Sequence, residues 1–332
     1  MRTRLIPLLV LFITLLMLSA CTNNQPPSEQ KISSAVTLKK IVVTHSILGS
    51  VVKELVGNKA EVIVLIPNGQ DLHVWEPSAK DIEALYKADL VVQNGLELEA
   101  SLTKTTQQAE KNGIPLFTAT DYIDIRKVGE GEAAEEHHHE GEAAEEHHHE
   151  GEAAEEHHHH HEAGAPDPHF WTDPIAMKKV AAALASTLQV KLNIDTSNEA
   201  ASLNNKFDQL DQELSQMIEK VPPENRKLVS GHESLGYFAD RYGFKLIGAI
   251  IPSITTEAEV SAADMAKLKK VIQEQHVKAV FSELGTPKQL SEIIAHETGA
   301  KVIELNTHIL PKDGSYFTFM RDLTQTIVKG LQ

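Results

Sequence analysis

Four histidines follow predicted strands, on loops where metal-binding side chains can lie. They are His73, His169, His232 and His308. Because open α/β sheets bind ligands beyond the carboxyl ends of their strands, we expect each of these loops to lie at such an edge. Imidazole is the commonest metal ligand of proteins and suits zinc. A lone loop histidine is usually only hydrogen-bonded, but four at equivalent strand ends predict a metal site.

The loop of His169 is stiff by sequence. It reads Pro166-Asp167-Pro168-His169-Phe170-Trp171-Thr172-Asp173-Pro174. The prolines fix φ and push the residues before them toward extended conformations. Asp173 and Pro174 also provide an N-cap and a first-turn proline for a helix that continues to Leu192. An imidazole held in this way is suited to binding an ion.

The other histidines outside residues 129–162 are weaker candidates for metal ligands. His45 ends the first predicted strand and is undecided; one interpretation is that it orients a ligand through a hydrogen bond. Glu233, next to His232, is a second candidate for that supporting role. His276 falls at a helix end and His296 within a helix, so we interpret both as structural or solvated.

The ligand types favour zinc over manganese. Four neutral nitrogens suit Zn²⁺, which accepts them in a tetrahedron at ~2.0–2.1 Å, whereas Mn²⁺ prefers oxygen ligands. Zn²⁺ is therefore the expected ion, and Mn²⁺ is the alternative.

Other functional classes explain the sequence less well. Three histidines with a water molecule would also form a catalytic zinc site, in which Glu233 could act as a base. The chain has no His-Glu-x-x-His motif, P-loop or nucleophile elbow, so we expect no enzyme, and a zinc hydrolase is the weaker alternative. A surface adhesin is also an alternative, but adhesion does not account for the four histidines.

An acidic, histidine-rich insert occupies residues 129–162. A ten-residue repeat occurs three times in it, and it contains thirteen glutamates but no lysine or arginine. Removing their thirteen charges from the net charge of −16 leaves −3, so the body is nearly neutral and nucleic acid is not an expected partner. The insert has no apolar residue larger than alanine, so we expect it to be disordered. Its histidines either collect additional metal or form a passive solvated run: His137, His138, His139, His147, His148, His149, His157, His158, His159, His160 and His161.

The N-terminus predicts export and a lipid anchor. Arg2 and Arg4 precede an apolar run that is shorter than the ~20 residues of a membrane span, as in a secretory signal. Leu18-Ser19-Ala20-Cys21 looks like a bacterial lipobox, which predicts a signal peptide over 1–20 and lipidation of Cys21. Residues 21–35 would form the tether. Because Cys21 is the only cysteine, the chain excludes internal disulfides and thiolate zinc sites.

The rest of the chain predicts an α/β fold. Short apolar strands alternate with helices of ten or more residues, which indicates two lobes, each a mostly parallel sheet flanked by helices. We expect an N-terminal lobe over 36–192, a long rigid linking helix within 193–223, and a C-terminal lobe over 224–332. The linking helix has one apolar stripe: Leu203, Phe207, Leu210, Leu214, Met217 and Ile218.

Three motifs resemble those of a known family, the cluster A-I metal-ion receptors of bacterial ABC importers for zinc and manganese. The motifs are Gly69 to Asp81, Asp167 to Pro174, and His232 to Ala239 continuing through Tyr242-Gly243. The resemblance covers nearly the whole mature chain. It implies a monomeric lipoprotein at the outer face of the cell membrane or in the periplasm, which binds one metal between its lobes and delivers it to an ABC permease.

The resemblance also implies the ligands and the type of metal. His73 and His169 match first-lobe ligands, and His232 stands where zinc-type members have histidine and many manganese-type members have glutamate. An acidic, histidine-rich insert is also what zinc-type members carry. The last position differs, because many members have an acidic residue where this chain has His308. We assign His308, with Asp313 or water as the alternatives.

Overall fold

The computed structural model describes residues 37–129 and 164–332. The predicted signal peptide, Cys21 and all eleven histidines of the insert lie outside these residues. The described strands are β1 Lys39–His45, β2 Ala60–Ile66, β3 Leu90–Gln93, β4 Leu116–Thr118, β5 Lys227–Ser230, β6 Lys245–Ala249, β7 Ala279–Ser282 and β8 Lys301–Glu304. The described α-helices are α1 Ser46–Val56, α2 Ala79–Tyr86, α3 Ala100–Lys111, α4 Pro174–Leu192, α5 Ser197–Ile218, α6 Gly236–Tyr242, α7 Ala262–Glu274, α8 Lys288–Thr298 and α9 Tyr316–Leu331.

The chain has an α/β fold of two lobes, with parallel strands flanked by helices in each. We call the elements from β1 to α4 the first half and those from β5 to α9 the second half. The first half contains one parallel sheet of order β2-β1-β3-β4. The second half holds its four strands as two parallel pairs, β5-β6 and β7-β8. Their carboxyl ends carry the loops that form the site described below.

Local sequence signals set several helix boundaries. Ser78 and Asp81 form a reciprocal capping box at the start of α2, and Ser261 with Asp264 does the same for α7. Asp173 accepts the first-turn N–H of Ile175 at the start of α4, as predicted. These caps satisfy backbone donors that a helix cannot pair internally, so the loops before the helices have defined ends.

The helix α5 connects the halves and is also a core element. Its buried residues form the predicted apolar stripe, except that Met217 is only partly buried. The stripe packs against α4, α9 and α1, so α5 contacts both halves. Large side chains from all three parts, including Trp171, Phe207 and Phe238, belong to one buried group. The loops between the halves therefore rest on a shared core.

Among residues 37–129 and 164–332, no helix combines the length and the apolar character that a membrane crossing requires.

Candidate metal site

The four predicted histidines meet in one buried cluster, which we call the histidine cluster: His73, His169, His232 and His308. His73 lies on the loop after β2, His232 after β5, and His308 after β8. His169 does not follow a strand. It follows an isolated antiparallel bridge between Lys127 and Pro166, where the chain returns from the insert, so its predicted position after a strand is wrong although its loop reaches the cluster.

Two of the distances between ring nitrogens match those of a tetrahedral metal site, and the others are short enough for the four rings to converge on one ion. The Nε2 atom of His169 lies 3.4 Å from Nε2 of His73 and 3.3 Å from Nε2 of His232. One nitrogen from each of the four rings lies within 4.8 Å of all the others. Metal–nitrogen bonds of ~2.0–2.1 Å in a tetrahedron separate two ligand nitrogens by ~3.3–3.4 Å. The arrangement can therefore surround a small cation.

Burial favours the neutral form of His73, His169 and His308. His169 and His232 are 0% exposed, His308 is 3% exposed and His73 is 8% exposed. Burial, followed by repulsion from the neighbouring rings, lowers the pKa of His73 and His308 well below the usual value. Burial also lowers the pKa of His169, although Asp167 opposes the effect. Neutral imidazole is the form that binds metal, so these groups compete little with protons at neutral pH.

Asp167 holds His169 from behind. Its Oδ1 atom accepts both the backbone N–H and the ring Nδ1–H of His169, each at 2.9 Å. The other carboxylate oxygen lies 3.5 Å from the guanidinium of Arg126. With Nδ1 as the donor, Nε2 of His169 carries the lone pair and points into the cluster.

Glu283 supports His232. Its Oε2 atom lies 3.2 Å from Nδ1 of His232, a close contact rather than a well-aligned hydrogen bond. Oε2 also accepts hydrogen bonds from the hydroxyls of Ser234 and Thr307, and Oε1 accepts from the Gly231 N–H. Burial acts to raise the pKa of Glu283, but His232 and the two hydroxyls outweigh it and lower the pKa. A carboxylate therefore lies behind this ligand as well.

The other two rings have different surroundings. Nδ1 of His308 lies 2.8 Å from the Thr307 hydroxyl, and its buried Nε2 has no hydrogen-bond partner among the described residues. The backbone N–H of His73 donates to Asp71 Oδ1 at 3.0 Å. Asp71 Oδ2 accepts from Thr256 of the second half at 2.8 Å. The unpaired Nε2 of His308 is a buried polar atom that a metal ion would satisfy.

Three other predicted residues lie away from the centre of the cluster. Glu233 lines a cavity with Val128 and Lys267, and Glu283 takes the place behind His232 that we expected Glu233 to hold. His45 is buried, but its Nε2 pairs with the Asn94 side-chain oxygen at 3.3 Å.

Asp313, the alternative to His308, is exposed and accepts hydrogen bonds from the backbone of Ser315 and the hydroxyl of Thr318. Asn94, the partner of His45, donates to the Pro168 carbonyl at 3.0 Å. The ring of His45 also lies 5.5 Å, centroid to centroid, from the ring of Trp171. His45 therefore contacts the ligand loop of His169 both through Asn94 and directly.

Sequence reasoning missed the two carboxylates behind the rings. Glu283 directly follows β7, so the same strand-end rule that selects the histidines could have selected it. Asp167 lies two residues before His169 inside the proline-rich loop, where its side chain can bond the backbone N–H two residues later.

Comparisons with known proteins identify the family of the chain. A family model described as ZnuA, zinc-uptake complex component A, periplasmic, matches residues 41–330. The manganese ABC transporter substrate-binding lipoprotein PsaA of Streptococcus pneumoniae is 26% identical, with 97% of each chain covered. The high-affinity zinc uptake system protein ZnuA of Bacillus subtilis is 28% identical, with 90% of this chain and 87% of the relative covered.

A solved structure shares the fold. The periplasmic zinc-binding protein TroA from Treponema pallidum superimposes with a TM-score of 0.71 at 22% identity, over 89% of this chain and 99% of that one. The family model, like the structural superposition, covers most of the chain. The chain therefore belongs to the ZnuA family of zinc-uptake complex component A, whose members are metal-binding receptors of ABC transporters and not enzymes.

Proposed function

We propose that the protein is an extracytoplasmic receptor that binds Zn²⁺ through His73, His169, His232 and His308 and delivers it to an ABC permease. The observation that carries the proposal is the buried cluster of four imidazoles, in which one nitrogen from each ring lies within 4.8 Å of all the others and two Nε2 pairs lie 3.3 and 3.4 Å apart. The lowered pKa values of His73, His169 and His308 support it, because neutral rings are ready to bind.

The choice of zinc rests on the ligand atoms. The four groups offer nitrogen only, whereas manganese prefers oxygen ligands and higher coordination numbers. Relatives are named for each metal, so the relatives alone do not decide. Asp167 and Glu283 supply negative charge close to the ion without occupying ligand positions. They would offset the charge of the ion while leaving its ligands neutral.

The location of the receptor is part of the proposal. We propose that residues 1–20 are removed, that Cys21 is lipidated, and that residues 21–35 tether the body to the membrane. The body then comprises a lobe over 36–192, the linking segment 193–223 and a lobe over 224–332, and it acts as a monomer. Cys21→Ala should release the protein from the membrane fraction, and a variant that stays bound as tightly as the parent would contradict the anchor.

Metal identification and competition titration test the zinc assignment. Protein purified without added metal should contain zinc by mass spectrometry, and in competition against a chromophoric chelator it should prefer zinc to manganese. Ala substitutions of His73, His169 or His232 should each weaken zinc strongly. His296→Ala, which removes an exposed histidine on α8, is the matched control and should leave affinity unchanged. A parent that prefers manganese would overturn the zinc assignment.

A further inference from the structure

We propose that Thr307 and Glu283 are positioning residues that fix His308 in the tautomer whose Nε2 is free to bind the ion. Thr307 and Glu283 need not touch the metal themselves. The consequence for metal binding rests on the function proposed above, whereas the hydrogen-bond arrangement does not.

The Thr307 hydroxyl has one proton and therefore donates one hydrogen bond. Its Oγ1 atom lies 2.7 Å from Oε2 of Glu283 and 2.8 Å from Nδ1 of His308. Both oxygens of Glu283 also accept from other donors, Oε1 from the Gly231 N–H at 2.8 Å and Oε2 from the Ser234 hydroxyl at 2.6 Å. Glu283 is thus the acceptor, and the Thr307 proton points toward it.

In its second hydrogen bond, with His308, Thr307 must therefore be the acceptor. With its proton committed to Glu283, the hydroxyl oxygen can only accept from His308. Nδ1 of His308 therefore carries the ring proton, and Nε2 carries the lone pair. That Nε2 is one of the buried side-chain atoms without a hydrogen-bond partner among the described residues, so it is free to bind a cation.

One carboxylate in this way supports both second-half rings. Glu283 touches Nδ1 of His232 directly, at 3.2 Å, and reaches His308 through Thr307. Gly231 allows the close approach, because a Cβ atom there would lie 3.0 Å from both the Cβ and the backbone nitrogen of Glu283. Thr307, Glu283 and His308 are all buried, so bulk water cannot replace a lost bond.

Without the Thr307 hydroxyl, the tautomer of the His308 ring is no longer fixed. A neutral imidazole without a fixed partner exchanges its proton between the two nitrogens. Whenever the proton sits on Nε2 of His308, that nitrogen points an N–H at the cluster and cannot bind an ion. Loss of such an orienting partner typically costs ~10–100-fold in metal affinity.

The first test reads the tautomer in the metal-free protein. Thr307→Val keeps the shape but removes the hydroxyl, Thr307→Ser restores it, and Thr106→Val is a matched control that removes a buried hydroxyl bonded to the Thr103 carbonyl. Nitrogen-15 NMR of the ring nitrogens at pH 7.5 with chelator, with His308 assigned through His308→Gln, should show protonated Nδ1 in the parent, Thr307→Ser and Thr106→Val. Thr307→Val should show a mixed or Nε2-protonated ring. An unchanged tautomer in Thr307→Val would overturn the inference.

The second test reads affinity for the first zinc equivalent by chelator competition. Thr307→Val should weaken it ~10–100-fold, and Thr307→Ser and Thr106→Val should stay close to the parent. Glu283→Gln should weaken it as well. A tautomer that changes without loss of affinity would overturn the positioning role. A parent that fails to bind zinc, but shows the expected tautomers, would overturn the proposed zinc function and leave the hydrogen-bond assignment supported.

Discussion

The indole N–H of Trp171 donates to the carbonyl oxygen of Thr307 at 3.0 Å. This bond joins the loop of His169 in the first half to the loop of His308 in the second. The indole ring is fully buried, with its centroid 5.2 Å from that of His169 and 5.6 Å from that of His308. Trp171 therefore packs against two of the proposed ligands at once.

This relationship predicts that Trp171 reports metal binding. The chain has two tryptophans, and Trp75 is only partly buried, at the edge of the core. The change in fluorescence on adding zinc should disappear in Trp171→Phe and persist in Trp75→Phe. Because Trp171→Phe leaves a buried carbonyl without its donor, it should also lower the free energy of unfolding by ~1–3 kcal/mol in a urea titration. A metal response that survives in Trp171→Phe would contradict this prediction.

A second prediction concerns metal selectivity at position 308. His308→Asp should retain zinc but improve manganese binding relative to zinc, because it replaces a nitrogen by a hard oxygen. His308→Ala should weaken zinc, though less than the other three alanine variants if water fills the position. Parallel competition titrations with both metals measure the ratio. A His308→Ala variant with unaltered affinity and metal geometry would remove His308 from the site.

A third prediction concerns the pH dependence of stability without metal. Burial lowers the pKa of His45 to about 4 and also lowers the pKa of His73, His169 and His308. From pH ~6.5 downward the unfolded chain binds protons that the folded chain excludes, so stability is present above this pH and is lost as the pH falls toward the folded pKa values. For His45 alone the loss between pH 6.5 and 4 is ~3 kcal/mol.

Urea unfolding at pH 7.5, 6.5, 5.5 and 5.0 with chelator measures this slope. The free energy of unfolding should fall with acid, and His45→Gln should reduce the slope because it removes one buried imidazole. His296→Gln calibrates the effect of removing an exposed one. A free energy of unfolding that stays constant from pH 7.5 to 5.0 would contradict the prediction.

A fourth prediction separates the insert from the histidine cluster. The segments on either side of the insert are hydrogen-bonded to each other: the Val128 N–H donates to the Ala165 carbonyl at 2.9 Å, and the Gly164 N–H donates to the Val128 carbonyl at 3.0 Å. Deleting residues 131–161 should therefore leave the loop of His169 in place and preserve the tight site. The number of zinc ions bound per protein should fall, because the eleven histidines of the insert are lost. In the parent, the zinc ions bound by the insert should be the first to dissociate as the pH is lowered.

Calorimetry of the deletion variant measures both quantities. A full-length variant with all eleven histidines replaced by serine is the control for chain length, and it should match the deletion in stoichiometry. Equal stoichiometry in the parent and the deletion would eliminate the collecting role.

The sequence predicted most elements because their signals are local. The alternation of apolar runs and turn residues predicts helices over 46–56 and 316–331 and strands over 227–230 and 279–282, and α1, α9, β5 and β7 have these bounds. Periodicity also predicts a helix over 96–111, but α3 begins at Ala100 because Leu96 and Glu97 adopt φ values of 54° and 58°. Left-handed backbone at two non-glycine residues has no signature in their side chains, so periodicity could not locate this boundary.

The candidate site was predictable in part for the same reason. Strand ends select His73, His232 and His308, and the proline-rich loop selects His169, each from residues close to it in the sequence. Which carboxylate stands behind which ring depends on tertiary contacts between distant segments, as with Glu283 and His232. Adjacency in sequence suggested Glu233 instead.

His73 is slightly exposed, whereas the other three histidines are almost completely buried, so the His73 side of the site is the side nearest to solvent. A hydrated ion arriving from outside must shed its water stepwise, and His73, at 8%, has the largest exposed fraction of the four residues. We expect His73 to be the first ligand that an entering ion meets and the last that a departing ion leaves. The rates of metal capture and release would then depend more strongly on the His73 side chain than the equilibrium affinity does.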